Sequence, residues 1–307
     1  MATYGNYQGY QGSAARHAHS GSPHGAHIID PRLMELVACV PGLFSEKRVL
    51  DVGCNHGGVA VDIGLHFNAE SVLGIDLDPT LIQHAKSHLS FQYSRLPPSD
   101  TAGATTTTTT TPTTESVRSA NYFPISSILT HGHIPYPAAT TPPTFPRNVT
   151  FSTSDAITFF HLPSPTNPDA MDLDTPSPHQ RKKQSQPRET EQPRENEFDT
   201  ILLLSVLKWL HLHHGDAILP AFFSALHTAL RPQGRVVLEL HPWESYEKAA
   251  KKVPGLRGRV GEIQVRGGEN VVRVAGECGF EVVAEVEEKR DGKGRVRRRG
   301  MVVLGKR

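Results

Sequence analysis

An α/β fold, in which a mostly parallel sheet is covered by helices on both faces, is what this sequence predicts. Three observations carry the prediction. Short and almost wholly apolar runs recur along the chain, segments of helical spacing alternate with them, and the first run ends in a glycine-containing turn. Strands apolar on both faces belong to buried parallel sheets, and the alternating helices supply the cover.

The elements follow in order. Arg48-Val-Leu-Asp-Val-Gly-Cys54 is the first strand, and Val59, Ile63 and Phe67 mark a helix over Gly57–Phe67. Ser71–Leu77 is the second strand. Pro79–Phe91 is the second helix, with proline in the first turn, where its missing N–H has no partner to lose. Val149–Ser154 and Phe198–Ser205 are the third and fourth strands. A helix over Asp216–Leu230 stops at Pro232 and Gly234, and Arg235–Leu240 is the fifth strand. A helix near Glu269–Cys278 leads into Phe280–Glu288 and Met301–Leu304, a closing hairpin joined by the Gly- and Arg-rich Asp291–Gly300.

Between these elements lie two stretches without periodicity. Residues 97–147 hold the threonine run Thr105–Thr111 and several prolines, and 162–196 hold Pro163, Pro165, Pro168, Pro176, Pro178 and mixed charge. Both are expected to be disordered insertions in one domain spanning 1–307. Removing them leaves roughly 220 residues, an ordinary single-domain size. They also explain why only 37% of the chain is hydrophobic. Residues 1–30 are expected to form a flexible N-terminal lid.

The charge balance, 32 Lys plus Arg against 31 Asp plus Glu, confines any nucleic-acid surface to a local patch. Cys39, Cys54 and Cys278 lie too far apart for a zinc framework and suit a reducing compartment. The N-terminus has no apolar core and no later run is long enough to span a membrane, so a soluble nuclear or cytoplasmic protein is expected, the nucleus slightly favoured.

The chemistry begins at Asp51-Val-Gly-Cys-Asn-His-Gly57, where a strand turns into a helix. Gly53 permits a tight turn and close approach of a ligand. Asp76 closes the second strand, beside that loop, where a carboxylate accepts from both ribose hydroxyls of an adenosine ligand. A dinucleotide fingerprint needs G-x-G-x-x-G, but Asn55 stands at the second glycine and intrudes where a diphosphate would lie. S-adenosylmethionine carries no phosphate, and Asp51 suits its cationic sulfonium end. Asp155, ending the third strand, is equally an acceptor for an adenine amino group and a helix N-cap. Leu204 and Ser205 end the fourth strand at the same rim.

Three islands together resemble the bicoid-interacting-protein-type RNA methyltransferases, the methylphosphate capping enzyme family. The first is Tyr4-Gly-Asn-Tyr7 with Tyr10 and Asp30-Pro-Arg-Leu33. The second is Val49–Asn55 through Gly74-Ile-Asp-Leu-Asp78. The third is Leu204-Ser-Val-Leu-Lys-Trp-Leu-His211, continuing to Gly215-Asp216, Leu230-Arg-Pro232 and His241-Pro-Trp-Glu-Ser-Tyr246. The resemblance spans nearly all of the chain outside the insertions and fades after Tyr246. It implies a Rossmann-like class I S-adenosylmethionine-dependent methyltransferase with a seven-stranded, mostly parallel sheet. The implied reaction is methyl transfer to the 5′-terminal phosphate of a small non-coding RNA. Carried over by position, Arg32, Gly53, Asp76, Leu77, Asp155, Ala156 and Leu204 match cofactor contacts, joined by Asp51 and Asn55 from the loop. Tyr10 and Lys208 match residues at the RNA 5′ end. The chain departs from the family at Gln11, where a tyrosine is usual.

A terminal phosphate is already anionic, so positioning rather than a general base is expected to supply the acceleration. No metal site is expected. His211, His213 and His214 have no carboxylate or cysteine to complete one, and His17, His19, His24 and His27 fall in a polar segment. Arg295-Val-Arg-Arg-Arg299 reads equally as a phosphate grip, a nuclear signal or a charged hairpin tip. Two alternatives stand beside the leading reading: a methyltransferase of a small molecule or protein, and a catalytically weak RNA-binding protein on the same fold.

Overall fold

The computed structural model describes residues 27–98, 120–162, 193–253, 255–290, 292 and 296–307. Among them a seven-stranded sheet forms the body. Its strands are β1 (Arg48–Val52), β2 (Ser71–Asp76), β3 (Val149–Thr153), β4 (Phe198–Leu203), β5 (Leu230–Glu239), β6 (Phe280–Val286) and β9 (Met301–Lys306). The order across the sheet is β3-β2-β1-β4-β5-β9-β6. β1 to β5 run parallel, while β9 lies antiparallel between β5 and β6. This is the Rossmann-like, mostly parallel sheet of the class I methyltransferase fold that the sequence predicts. The terminal hairpin closes it, with Phe280 opposite Lys306 and Val286 opposite Met301. Its tip carries a small ribbon, β7 (Lys289–Arg290) with β8 (Val296–Arg298).

Alternation along each strand divides the core. Val49, Val72, Leu202, Val237 and Val303 face α1 (Pro31–Cys39), α2 (Gly58–His66) and α3 (Pro79–Tyr93). Leu50, Ile75, Ile201, Leu203, Val236, Leu238 and Leu304 face the opposite layer, which includes α5 (Ala156–Phe159), α7 (Ile218–Ala229) and α10 (Gly268–Glu277). Every residue of β4 from Thr200 to Leu203 is buried, as befits the centre of a sheet covered on both sides. A smaller cluster joins α6 (Leu207–His214), α8 (Trp243–Lys252) and α9 (Leu256–Glu262) through Leu212, Tyr246, Ala249, Val253 and Leu256.

The structure adds helices that apolar periodicity alone does not announce. α1 opens on Asp30, whose carboxylate accepts from Arg32 N–H, with proline in its first turn. α6 starts directly after β4 on Val206, with no side-chain cap. The described part of the first expected insertion also departs from a disordered reading. Residues 120–147 carry α4 (Ile125–His131), bury Ala120 and Ile128, and deliver Asn148, whose amide donates to the carbonyls of Gly64 and Ala69. Most of the second insertion lies outside the described residues.

Candidate functional site

The carboxyl ends of β1, β2, β4 and β5 converge on one rim, where parallel α/β sheets bind their ligands. β1 leaves the sheet at Gly53, whose φ of +71° suits glycine, and a Cβ there would lie 2.9 Å from the Val206 side chain. Gly57 ends the turn at φ +78°, where a Cβ would lie 2.6 Å from the Phe151 ring.

The backbone donors of this loop are all committed. Gly53 and Cys54 N–H donate to the Ile75 carbonyl at 2.8 and 2.9 Å, and Gly57 N–H donates to Cys54 O at 2.9 Å. Asn55 N–H donates to Asp76 Oδ2 at 2.9 Å, and His56 N–H to Asn55 Oδ1 at 2.7 Å. A phosphate-binding turn offers its N–H groups to the anion, and here residues 53 to 57 have none to offer. The Asn55 side chain thus opposes a diphosphate by occupying a donor as well as by its bulk. Asp76 clamps the loop with one oxygen and takes Asp78 N–H at 3.0 Å on the other. Burial raises its pKa, with these backbone donors opposing.

Asp51 sits one residue before the turn, on the face beneath α1, and is 2% exposed. Burial pushes its carboxyl up to about 7, Asp76 and Asp30 add to the rise, and Arg32 partly offsets it. Its Oδ2 is buried with no hydrogen-bond partner among the described residues. A buried acceptor of this kind is costly to leave unsatisfied and fits a cationic or donor-bearing ligand. Arg32 is held by Asp30, Nη2 to Oδ2 at 2.7 Å, and reaches Glu239 Oε2 at 3.4 Å.

The second half of the rim comes from β4 and β5. Leu204 is buried, and Ser205 turns the chain at φ +65°, a conformation non-glycine residues rarely adopt. Its hydroxyl donates to Glu239 at the end of β5. Arg299 completes the cluster, with Nη1 3.2 Å from Glu239 Oε1 and 3.3 Å from Ser205 Oγ. Burial alone would raise the Glu239 pKa, but Arg32, Arg299, His241 and the Ser205 hydrogen bond outweigh it and hold the group below its ordinary value.

Beside this cluster, Lys208 lies in the first turn of α6, buried. Its ammonium donates to Ser245 Oγ at 3.0 Å and lies 4.8 Å from the Trp209 ring centre. Burial first, then Arg299 and Lys252, lower its pKa to about 8 against the pull of Glu239. A cleft opens here between Lys208, Glu239, His241, Tyr246, Gly267 and Gly268. His241 is held down to about 3, chiefly by burial, so its ring is neutral at neutral pH. Its Nδ1–H donates to the Glu239 carbonyl at 3.2 Å, which leaves Nε2 as an acceptor with no partner among the described residues.

The structure therefore brings Arg32, Asp51, Gly53, Asn55, Asp76, Leu204 and Lys208 to one rim. Leu77 follows β2 there, half-buried. Asp155 serves as the N-cap of α5, accepting from Ile157 N–H at 2.9 Å, with Ala156 opening that helix. Tyr10, with Tyr4, Tyr7 and Gln11, lies outside the described residues. His211 is buried with Nε2 2.7 Å from Asp216 Oδ1 and Nδ1 3.4 Å from the Tyr246 hydroxyl. Asp216, just before α7, and Tyr246 of α8 thus both hold the His211 ring and tie α6 to those elements. Glu239 is a residue of this cluster that sequence reasoning missed, while Ser245 and Arg299 were read only as parts of the third island and of the basic run. Glu239 ends an apolar strand, a signal like that of Asp76, whereas nothing in the basic run marks Arg299 as turning inward.

Residues 198–306 match the profile of the Bicoid-interacting protein 3 (Bin3) family, so the chain carries a Bin3-family domain. The 7SK snRNA methylphosphate capping enzyme of Homo sapiens is 31% identical over 216 residues, 68% of this chain and 27% of its own length. A probable RNA methyltransferase of Arabidopsis thaliana is 30% identical over 244 residues, covering 80% of this chain and 62% of that protein. The U6 snRNA methylphosphate capping enzyme Amus of Drosophila melanogaster is 24% identical over 263 residues, 86% of this chain and 61% of its own length. The chain thus spans about a quarter of the human relative and under two thirds of the other two.

Proposed function

We propose that this chain transfers a methyl group from S-adenosylmethionine to the 5′-terminal phosphate of a small RNA. The observation that carries the reading is the joining of the two ends of the third sequence island at the rim: Lys208, from Leu204–His211, donates to Ser245, from His241–Tyr246, beside the Arg32–Glu239–Arg299 cluster. The names of the relatives, two of them snRNA methylphosphate capping enzymes, support the same reaction and an RNA partner. A nuclear location follows from that substrate class. Among the described residues no helix is long and apolar enough to cross a membrane.

The residues of the first loop fit the cofactor. S-adenosylmethionine, when bound, supplies an activated methyl on a cationic sulfur. Asp76 offers a carboxylate for the ribose, Gly53 leaves room for close approach, and Asp51 offers buried negative charge to the cationic end. The saturated donors of residues 53–57 disfavour a pyrophosphate cofactor at the same place. Lys208 as an ammonium orients the terminal phosphate through one charge-assisted contact, and Arg299 and Arg32 hold the local potential positive. Glu239 balances them so that the phosphate is not gripped too tightly to react. No group is required to remove a proton, because the phosphate oxygen is already anionic. Tyr10, carried over from the family resemblance, is proposed to help position the RNA 5′ end.

The test is methyl transfer from labelled S-adenosylmethionine to short RNAs with 5′-triphosphate, 5′-monophosphate or 5′-hydroxyl ends, with Asp76→Ala as control. Label on phosphorylated ends only, lost in the variant, is expected. Cofactor binding without label on any of the three RNAs would overturn the end-capping assignment.

A further inference from the structure

Away from the rim, the lower half of α2 meets the segment that precedes α1. His27 Nε2 lies 3.1 Å from His66 Nε2 and 3.1 Å from Asp62 Oδ1. The three donor atoms all lie within 4.8 Å of one another, and the three side chains are each less than a tenth exposed. Asp62 and His66 stand four residues apart on α2 and so share one face of it. His27 comes from 35 and 39 residues earlier in the chain, and the polar composition of its neighbourhood gave no hint of burial.

We propose that His27, Asp62 and His66 bind one divalent transition-metal ion of the zinc class, with a fourth position left to water. Three features of the geometry support it. A tetrahedral ion with bonds of about 2.0–2.1 Å keeps its ligand atoms roughly 3.3 Å apart, close to the two separations here. Two imidazole nitrogens and a carboxylate converging on one point, none of them at the surface, leave a single His27 proton to be shared between two acceptors when no ion is present.

The surrounding residues are also those that orient metal ligands. Asp30 N–H donates to the outer oxygen of Asp62 at 2.8 Å. Gln92, from α3, holds the far nitrogen of His27 through its amide at 3.0 Å. The amide oxygen of Gln92 is buried with no hydrogen-bond partner among the described residues, and His88 Nε2 lies 3.4 Å from its nitrogen. Exchanging the amide oxygen and nitrogen, which are alike in shape, turns that oxygen onto the His27 Nδ1–H and the His88 Nε2–H. His27 Nε2 is then left with a lone pair for the ion. The site would fix the chain immediately before Asp30, and with it the start of α1 that presents Arg32 to the rim. The role is one of ordering, independent of whether RNA is the substrate.

The experiment uses the full chain, stripped with chelator, reloaded with Zn²⁺, desalted and measured by elemental mass spectrometry. One ion per chain is expected, retained in a control with His213→Gln and His214→Gln and lost with Asp62→Asn plus His66→Gln. Co²⁺ titration should give the visible bands of a tetrahedral site, with affinity at least about 100-fold weaker in the double variant. His66→Cys offers a thiolate from the same helix position, and should bind Co²⁺ with an added sulfur-to-cobalt band in the near ultraviolet, which a purely packing role for His66 would not produce. Less than half an ion in the wild type, or equal retention by the folded double variant, would overturn the proposal.

Discussion

Replacing Asp51 by asparagine separates the electrostatic cost of the empty rim from its packing. The folded Asp51 carboxyl is pushed up to about 7 from 3.8. Each unit corresponds to about 1.4 kcal/mol, so ionised Asp51 penalises the ligand-free fold by about 4 kcal/mol at most. The sign follows from proton binding. Between the two values the folded chain holds a proton that the unfolded chain has lost, so stability is greatest at low pH and falls as pH rises through about 7. Asparagine has the same shape and no charge, and any unsatisfied hydrogen bond it introduces costs the same at every pH. The two chains should therefore differ in pH dependence between about 4 and 7 and little below or above that window. At pH 8 the variant should gain up to about 4 kcal/mol relative to wild type, roughly 8–16 °C in Tm for an ordered body of this size. Thermal denaturation of both ligand-free chains at pH 4, 5, 6, 7 and 8 reads this directly. With S-adenosylmethionine the order reverses. Wild-type affinity should tighten by up to about tenfold per unit between pH 5 and 7, and the variant should show no such dependence. A difference in Tm that stays constant from pH 5 to 8 would refute the reasoning.

Further outcomes follow from the same geometry. Asp76→Ala removes the acceptor for Asn55 and Asp78 N–H as well as the ribose carboxylate, and should weaken S-adenosylmethionine by at least about 100-fold by calorimetry. Lys208→Met should lower kcat/KM for a 5′-phosphorylated RNA by about 10²–10³ while cofactor affinity stays within about twofold. Because the Lys208 ammonium is held down to about 8, wild-type transfer should decline above that pH, and Lys208→Arg should retain its rate there. Gly57→Ala combines a left-handed backbone with a 2.6 Å contact to Phe151, and should destabilise by roughly 2–4 kcal/mol in chemical denaturation. Glu239→Gln leaves Arg32 and Arg299 without their shared anion and should cost roughly 3–5 kcal/mol, measured the same way.

The sheet was legible because its strands are buried on both faces, so apolar runs such as Phe198–Leu203 and Ser71–Asp76 need no tertiary information to be recognised. Helices were harder where tertiary contacts rather than periodicity create them. α6 has no capping side chain, and its buried residues include Lys208 and His211, which break any apolar pattern. The site divides the same way. Gly53 and Asp76 are readable because turn and strand-end chemistry is local. Glu239 and Arg299 are 60 residues apart and meet only because β9 inserts between β5 and β6. The burial of His27 depends on Asp62, His66 and Gln92, none of which is a sequence neighbour.

The charge layout of the rim explains how one fold can hold a cationic cofactor and an anionic acceptor without confusing them. The first loop has no spare backbone donor and three carboxylates near it, Asp30, Asp51 and Asp76, with only Arg32 in opposition. An anion gains nothing there. Across the rim the balance inverts: Arg299 adds to the burial that lowers the pKa of Lys208, and the carboxylate of Glu239 is already engaged by two guanidinium groups and a serine. A phosphate placed on that side meets donors, and on the other side it meets carboxylates. Arg32 and Ser205 are the hinge of this arrangement, since each touches Glu239 from the side of the first loop or of β4. The polarity of the site is thus set by which strand ends carry acids, β1 and β2 without a cationic network and β5 with one. Reversing it would require moving Glu239, whose pKa Arg32 and Arg299 hold down against burial, whereas burial raises those of Asp51 and Asp76.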